Sequence, residues 1–339
     1  MEIGIYTFAD VAAGHPGQAG QRLRNLVEEM KLADEVGLDV FAVGEHHRAD
    51  YAVSAPAVAL AAGAAVTKRI KLSSAVSVLS SDDPVRLFQQ FATVDGISNG
   101  RAEIMAGRGS FIESYPLFGY DLEDYDSLFA EKLDLLMKLL DGNNITWNGQ
   151  LRPSLVNAGI YPRPEQKKMP IWIAVGGTPE SVVRAANLDL PMALAIIGGD
   201  PRRFAPFFQL YRETYQKLGR DPSKATLSLN MHGFVSTTTA HAKDVYFAAH
   251  TEVMNRIGRE RGWPPQGRPH FEAATGPTGN LIVGDPEHVA ARIIELHKIF
   301  GNQRILIQMA IGTVPHDEQL KAIELLGNKV VPMVREALK

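Results

Sequence analysis

The sequence predicts an α/β fold of the (β/α)8 TIM-barrel type, and three observations lead to it. Along the 339 residues, about eight strand-like runs alternate with helical segments, which is the pattern of a parallel sheet. Most of these runs are apolar throughout, as expected of strands that are buried on both faces. No G-x-G-x-x-G follows the first run, which disfavours an open dinucleotide-binding sheet, and eight units in one chain favour a closed barrel.

The first half of the chain is predicted to contain four strand–helix units. The run EIGIYTF (2–8) precedes an amphipathic helix that ends near a glycine, and the apolar run VFAV follows. The remaining elements of this half are a helix at about 54–67, the strand IKLSSAVSVL (70–79), a helix from Pro84 to Ser98 and the strand RAEIMAG (101–107).

The second half repeats this alternation. Its predicted strands are PIWIAVGG (170–177), PMALAII (191–197), ATLSLNMHGFVS (225–236) and QRILIQMAIG (303–312). The intervening helices begin at Thr178, after Pro201, after the third of these strands and at the segment PEHVAARIIELHKIF. We therefore expect residues 1–339 to form a single barrel domain.

Two insertions exceed ordinary loops, one after the fourth strand and one near the last two units. Residues 108–170 contain a helical segment, DYDSLFAEKLDLLMKLL, and then DGNNITWNGQLRP, which resembles a small hairpin. Residues 260–285 are rich in glycine and proline. Long loops in compact domains are usually functional, so the second insertion is a predicted lid over the mouth of the barrel.

Composition excludes several classes of protein. A net charge of -3 gives no general attraction to nucleic acid or to an anionic membrane. The chain has no cysteine, so disulfides, thiolate nucleophiles and cysteine zinc sites are excluded. Neither a signal peptide nor an apolar run of membrane-spanning length is present, which predicts a cytoplasmic location.

Barrel enzymes work at the carboxyl ends of their strands, so the residues that follow each apolar run are the candidates. These are Tyr6 and Thr7, then Glu45, His46 and His47, then Ser77 to Asp83, then Gly107 to Ser110, and finally Gly176, Gly177 and Thr178. The set contains one arginine, two glycine turns and one pair of histidines.

The turn after the fifth strand has the features of a phosphate site. Gly176 and Gly177 lead into Thr178, a predicted N-cap, and Ser181 lies within the first turn of the helix. A helix N-terminus presents free N–H groups and a positive dipole, and glycines allow close backbone approach. Arg108, at the end of another strand, supplies a cation. A well-capped helix and a surface arginine are the alternative interpretation of the same residues.

Three interpretations of Glu45, His46 and His47 compete: a metal site, a polar rim on the barrel mouth, and an acid–base or ligand-binding group. Consecutive side chains on a strand point to opposite faces, which disfavours a shared metal ion. A metal site also needs ligands from other strand ends, and only Asp82, Asp83 and His232 are near candidates. We therefore favour a catalytic or ligand-binding role without a metal.

Three stretches together resemble the bacterial-luciferase-like family of flavin-dependent monooxygenases, also described as luciferase-like flavin-dependent oxidoreductases. They are DVFAVGEHH, then SVLSSDDPVRLFQQFATVDGISNGRAEIMAGRGSFIESYPLFGYDL, then PIWIAVGGTPES. The resemblance extends from the first strand to the segment GNLIVGDPEHVAARI before the last strand. The middle stretch is the most specific of the three.

The resemblance implies a (β/α)8 barrel that binds reduced FMN at its carboxyl end. It places His46 beside the reactive edge of the flavin, with Glu45 and His47 orienting it. It assigns the FMN phosphate to Arg108 and to the turn residues Gly176, Gly177, Thr178 and Ser181. It also predicts a cis peptide at Ala75-Val76 beneath the flavin ring, with Tyr6, Ser77 and Gly107 as further cofactor contacts.

The same resemblance implies the partners. Reduced FMN would come from a separate flavin reductase, O2 and a small organic substrate would be consumed, and the assembly would be a homodimer. Two departures are that a second arginine of many relatives is missing from the stretch YDSLFAEK, and that a reactive-site cysteine of luciferase is replaced by Gly107. The alternatives are a deazaflavin-dependent hydride-transfer enzyme, a non-catalytic flavin-binding protein and a metal-dependent hydrolase.

Overall fold

Eight parallel strands close into a barrel, so the fold predicted from the sequence is confirmed. In this computed structural model, which describes residues 1–12 and 16–339, each strand pairs with the next and the eighth pairs with the first. The strands are β1 (Glu2–Thr7), β2 (Val40–Val43), β3 (Lys71–Ser74), β4 (Ala102–Gly107), β5 (Ile171–Val175), β6 (Met192–Ile196), β7 (Leu227–Val235) and β8 (Arg304–Gln308).

Helices between the strands cover the outside of the barrel. They are α1 (Ala19–Glu35), α2 (Pro56–Val66), α3 (Pro84–Ser98), α4 (Ser114–Phe118), α5 (Tyr125–Leu139), α6 (Pro179–Asn187), α7 (Ala205–Lys217), α8 (Thr239–Arg261), α9 (Arg268–Ala274), α10 (Pro286–Phe300), α11 (His316–Leu325) and α12 (Val331–Ala337). Pro84–Ser98 matches its predicted bounds, because Asp83 caps it through the N–H groups of Val85 and Arg86 and Asn99 ends it in the left-handed conformation. Within the described residues, no helix combines the length and apolarity needed to cross a membrane.

The third predicted strand, residues 70–79, is wrong as a single continuous element. The chain forms β3 and then a separate short strand, Ser77–Val78, with a cis peptide between Ala75 and Val76. β3 pairs with the start of β4, whereas Ser77–Val78 pairs with Ala106 and Gly107 at its end. An apolar run predicts burial but does not show where the backbone leaves the ladder.

The two insertions differ in how far the prediction holds. The first contains α4, α5 and an antiparallel pair, Asn144–Trp147 with Leu155–Gly159, so the predicted hairpin is present. The second is wrong as a continuous loop, because it contains the end of α8, all of α9 and the strand Ile282–Gly284. Proline is compatible with the first turn of a helix, and Pro269 occupies that position in α9.

The two ends of the barrel interior differ in their side chains. Apolar groups such as Val40, Met105 and Leu306 fill the middle of the barrel. At the amino end, the Arg304 guanidinium lies 4.2 Å from the centre of the Trp172 ring and donates to Glu103 at 2.6 and 3.0 Å. The carboxyl end is open, and the candidate site lies there.

Candidate functional site

A cavity of about 400 Å³ lies at the carboxyl ends of the barrel strands. This volume is within the range of small-molecule sites. All eight strands or the segments that follow them, together with the end of α8, contribute to its lining, and most of its wall is apolar or aromatic. Phe111 and Trp263 line it, whereas Tyr115 and Phe271 are buried outside the lining.

Most of the residues predicted for the site line this one cavity. They are Tyr6, Glu45, His46, His47, Ala75, Val76, Gly107, Arg108 and Gly176. Four predicted residues lie outside the lining: Ser77, Gly177, Thr178 and Ser181. Ser77 is buried with an unpartnered hydroxyl, while Thr178 and Ser181 contact Arg108 as described next. The barrel thus brings the predicted residues to one region, in two adjoining parts.

Arg108 is held at the N-terminus of α6, as the phosphate hypothesis expects. Its Nη2 atom donates to Ser181 Oγ at 3.1 Å and to Thr178 Oγ1 at 3.3 Å. Its Nη1 atom donates to Asp126 Oδ1 at 2.6 Å. Because the Asp126 side chain is 70% exposed, this ion pair is held weakly and can exchange for another anion.

Arg184 brings a second positive charge to the same place, which the sequence did not indicate. Burial and the neighbouring Arg108 lower its pKa, and its Nη1 atom is buried without a partner. Two close cations with one unpartnered N–H favour an anionic ligand between them. An arginine inside a helix has no distinguishing pattern, so only the fold identifies it.

His46 lies in an aromatic part of the cavity. Its ring stacks on Tyr51 with centroids 4.3 Å apart and meets the edges of Phe8 at 4.6 Å and Phe111 at 5.0 Å. Burial lowers its pKa to about 3, since apolar surroundings disfavour the imidazolium. Its Nε2 atom is buried and has no hydrogen-bond partner in the part of the chain that the structure describes. His46 is therefore a neutral imidazole with one ring nitrogen free for a ligand.

Glu45 and His47 act as a pair beside it. His47 Nε2 donates to Glu45 Oε1 at 2.8 Å, and the other carboxylate oxygen accepts from the N–H of Val78 at 2.9 Å. The carboxylate therefore ties the loop after β2 to the short strand beside β4. Since both of its oxygens have partners, the Glu45 carboxylate is held in place between His47 and Val78.

Several cavity residues were missed by the sequence analysis, which considered His232 only as a candidate metal ligand. Asn230, His232 and Gln308 form the part of the lining contributed by β7 and β8. Ser228, Asn230 and His232 are polar at every second position of an otherwise apolar strand, and that period could have indicated an inward-facing polar row. Burial lowers the pKa of His232 to about 4, and its Nδ1 atom lies 3.3 Å from His250 Nε2.

Asp10 and Tyr51 were also missed. Both line the cavity, and they form an isolated antiparallel bridge outside the barrel ladder. Neither follows directly on a strand, so the rule that selects strand ends does not reach them. Within the described ranges 1–12 and 16–339, no cluster of three or more His, Asp or Glu side chains could hold a metal ion.

Comparison with known proteins gives a consistent assignment. A family model of luciferase-like monooxygenases matches residues 1–303. N-acetyl-S-alkylcysteine monooxygenase of Bacillus subtilis is 26% identical to this chain, over 86% of the chain and 87% of its own length. The F420-dependent glucose-6-phosphate dehydrogenase of Amycolatopsis mediterranei is 34% identical, over 45% of the chain and 48% of its own length.

Solved structures agree with the fold. A monooxygenase from Streptomyces bottropensis is 24% identical with a TM-score of 0.85, covering 98% of this chain and 99% of its own. The oxygenating constituent of 3,6-diketocamphane monooxygenase from Pseudomonas putida, in complex with FMN, is 18% identical with a TM-score of 0.80, covering 98% of each chain. Since the family model spans most of the chain, and the motifs quoted above lie within it, the protein belongs to the luciferase-like monooxygenase family.

Proposed function

We propose that this oxidoreductase is a monooxygenase that uses reduced FMN and O2 to oxygenate a small organic substrate. The observation that carries the proposal is the position of Arg108, whose guanidinium contacts two hydroxyls at the N-terminus of α6 beside the cavity. Such a cluster suits the phosphate of FMN, and the adjoining cavity suits its ring. The alternative is a deazaflavin coenzyme, which the match to an F420-dependent dehydrogenase supports.

The part of the site around Arg108 and the N-terminus of α6 has more hydrogen-bond donors for a phosphate than the sequence suggested. Arg108, Thr178 and Ser181 would bind phosphate oxygens, together with free N–H groups of the first turn of α6. Arg184 offers a substitute for the arginine that the stretch YDSLFAEK lacks. A Cβ atom at Gly176 would meet no atom within 4 Å, so space is open beside the turn.

The cavity would hold the flavin ring, orient it and exclude water from it. Ala75, Val76 and Gly107 present small or apolar surface to the cavity, which a flat ring can approach. When bound, reduced FMN would supply the electrons that activate O2. Neutral His46, through its free Nε2 atom, would hold or accept a proton near the reacting oxygen, and the pair Glu45 and His47 would keep that imidazole in place.

The proposal includes the partners expected from the sequence. A separate reductase would supply reduced FMN, and the chain would act as a homodimer in the cytoplasm. Phe111 and Trp263 at the mouth favour a substrate with apolar parts.

FMN affinity tests the phosphate assignment directly. We expect Arg108→Ala to weaken FMN binding by about 10- to 100-fold, since a hydrogen-bonded charge contributes about 1.5–3 kcal/mol. Riboflavin, which lacks the phosphate, should bind both proteins equally. Asp126→Asn should tighten FMN binding because it removes a competing carboxylate. Arg152→Ala is the matched control, since Arg152 pairs with Asp83 at 2.7 Å outside the cavity lining.

Calorimetry or flavin fluorescence would measure these affinities. An unchanged ratio of FMN to riboflavin affinity in Arg108→Ala would contradict the phosphate assignment. Tighter binding of coenzyme F420 than of FMN would favour the deazaflavin alternative.

A second experiment tests His46. Reduced FMN bound to the protein is mixed with O2, and release of hydrogen peroxide is followed. We expect wild-type protein to slow peroxide release relative to free reduced FMN, and His46→Ala to release it faster than wild type. Equal release by the two proteins at equal FMN occupancy would remove His46 from the proposed role.

A further inference from the structure

Asp10 is a carboxyl group of the cavity that has no hydrogen-bond partner among residues 1–12 and 16–339. It is 4% exposed, lines the cavity, and neither of its oxygens makes a hydrogen bond. Backbone bonds on either side fix its position, since Ala52 N donates to Ala9 O at 2.9 Å and Val11 N to Asp50 O at 3.0 Å. A buried carboxyl that lacks donors is costly unless a ligand supplies them.

The cations that influence Asp10 form ion pairs with other carboxylates. Arg22 lies 2.9 Å from Glu29, and Arg256 lies 2.9 Å from Asp50, although the Arg256 Nη2 atom has no hydrogen-bond partner among the described residues. The remaining groups that influence it are the neutral phenols of Tyr51 and Tyr246, whose pKa values are both raised by burial first and then by charge. Among the described residues, Asp10 is therefore the carboxyl group of this cluster that forms no ion pair.

These opposing effects allow Asp10 to gain or lose its proton near neutral pH. Burial raises its pKa to about 7, against the opposing influence of the charges on Arg22 and Arg256 and of the nearby Gly312 N–H, which does not reach hydrogen-bond geometry. A cation placed next to the carboxyl would favour its ionised form and lower that pKa.

The cavity wall beside Asp10 is aromatic. Tyr51 lies 6.2 Å from Phe8 and 6.3 Å from Phe111 between ring centroids, so three aromatic rings lie in this region. Ring faces attract cations, and arginines of the chain already lie over Tyr51 and Phe111, with Cζ atoms 4.8 to 5.9 Å from the ring centroids. An unpaired carboxyl beside these rings therefore suits the ammonium group of a ligand whose apolar part packs against them.

We infer that Asp10 binds a protonated amine of the substrate, so that the protein acts on organic amines whose apolar part lies against Tyr51, Phe8 and Phe111. This inference rests on the proposed function in naming the substrate class of the same cavity. It assigns Asp10 to substrate selection, separate from the cofactor contacts of Arg108 and the proton role of His46.

Paired probes of equal shape test the inference. Benzylamine and benzyl alcohol are titrated into the protein, with oxidised FMN and without it, by calorimetry or ligand-observed NMR at pH 8. We expect wild type to bind the amine at least about 10-fold more tightly, which corresponds to about 1.4 kcal/mol. Asp10→Asn should lose that preference. Asp82→Asn is the matched control, since Asp82 is a half-buried carboxyl whose pKa burial also raises, but it lies outside the cavity lining.

A second test uses the wild-type protein alone and measures how the affinity for the two probes depends on pH. Between pH 8 and pH 5 the amine stays protonated while Asp10 becomes neutral, so amine affinity should fall and alcohol affinity should not. Equal binding of the two probes by wild type, or a preference that survives in folded Asp10→Asn, would overturn the inference. Because the flavin-free arm does not depend on FMN, a failure of FMN to bind would count against the proposed function alone.

Discussion

The two ends of the barrel interior treat buried polar groups in opposite ways. At the amino end, Arg304 is 1% exposed in its side chain and donates to Glu103 and to Glu2, and Lys71 adds a cation 3.7 Å from Glu103. At the carboxyl end, both oxygens of Asp10 and the Nε2 atom of His46 have no partner. The buried charges of Arg304 and Glu103 are thus paired within the protein at the first end, although Trp172 Nε1 beside them has no partner among the described residues, whereas Asp10 and His46 are left for a ligand at the second.

This difference assigns stability mainly to the amino end of the barrel and ligand binding mainly to the carboxyl end. A buried ion pair costs desolvation, and removing one partner leaves an uncompensated charge. Unpartnered groups cost stability in the free protein, which a ligand then recovers by supplying the missing bonds. We therefore expect substitutions at the amino end to affect folding, and substitutions at the carboxyl end to affect binding.

The largest expected effect is at the amino end. Glu103→Ala leaves the buried Arg304 with only Glu2 as an anion, so we expect a loss of about 3–5 kcal/mol in the free energy of unfolding. Urea denaturation followed by circular dichroism measures it.

The matched control removes both charges. Glu103→Leu together with Arg304→Met should be more stable than Glu103→Ala, because no buried charge is left unpaired. FMN affinity of the folded variants should stay at the wild-type level. A loss below about 1 kcal/mol in Glu103→Ala would mean that the network contributes little.

The second expected effect is the pH dependence that Asp10 adds to stability. Its pKa is raised from 3.8 to about 7 on folding, so the folded state holds this proton more tightly and loses stability as pH rises through that range. Between pH 5 and pH 8 the loss is about 2–3 kcal/mol, at 1.36 kcal/mol per unit. Asp10→Asn should lack this contribution, so its stability should fall less than that of wild type over the same interval.

Urea denaturation of both proteins at several pH values measures this difference. Parallel stability curves for the two proteins would show that Asp10 has an ordinary pKa in the folded protein. Asp10 would then stay ionised between pH 5 and pH 8, and the proposed pH dependence of amine binding would not follow from it.

The sequence predicted which end of the barrel holds the site better than it predicted the residues that line the cavity. Alternating strands and helices, and residues such as Arg108 that follow directly on a strand, are local patterns, and the structure places them as expected. Asp10 and Arg184 gain their surroundings from segments that are distant in the chain. No spacing rule predicts that a carboxyl will be left without a partner, because that depends on the whole packing around it.

A third prediction concerns two glycines at the carboxyl end. A Cβ atom at Gly107 would lie 2.7 Å from Val76 Cγ2, whereas one at Gly176 would meet nothing within 4 Å. We expect Gly107→Ala to cost about 1–2 kcal/mol through overpacking. Gly176→Ala should change stability by less than about 0.5 kcal/mol while weakening FMN binding, because it fills the space beside the proposed phosphate site. Thermal denaturation and FMN titration measure the two effects, and equal destabilisation by both substitutions would contradict the prediction.

The smallest expected effect is the absence of a titration. Burial lowers the pKa of His46 from 6.5 to about 3, so this contribution to stability is present above pH 6.5 and is lost as pH falls toward 3. We expect the Cε1–H signal of His46 in NMR to keep its position between pH 5 and pH 8. His316 provides the internal contrast, because Glu29 and Glu28 raise its pKa and its signal should shift in the upper part of that range. A midpoint near 6.5 for His46 would mean that the ring is charged in mildly acidic solution, and its free nitrogen would then donate to a ligand instead of accepting a proton from one.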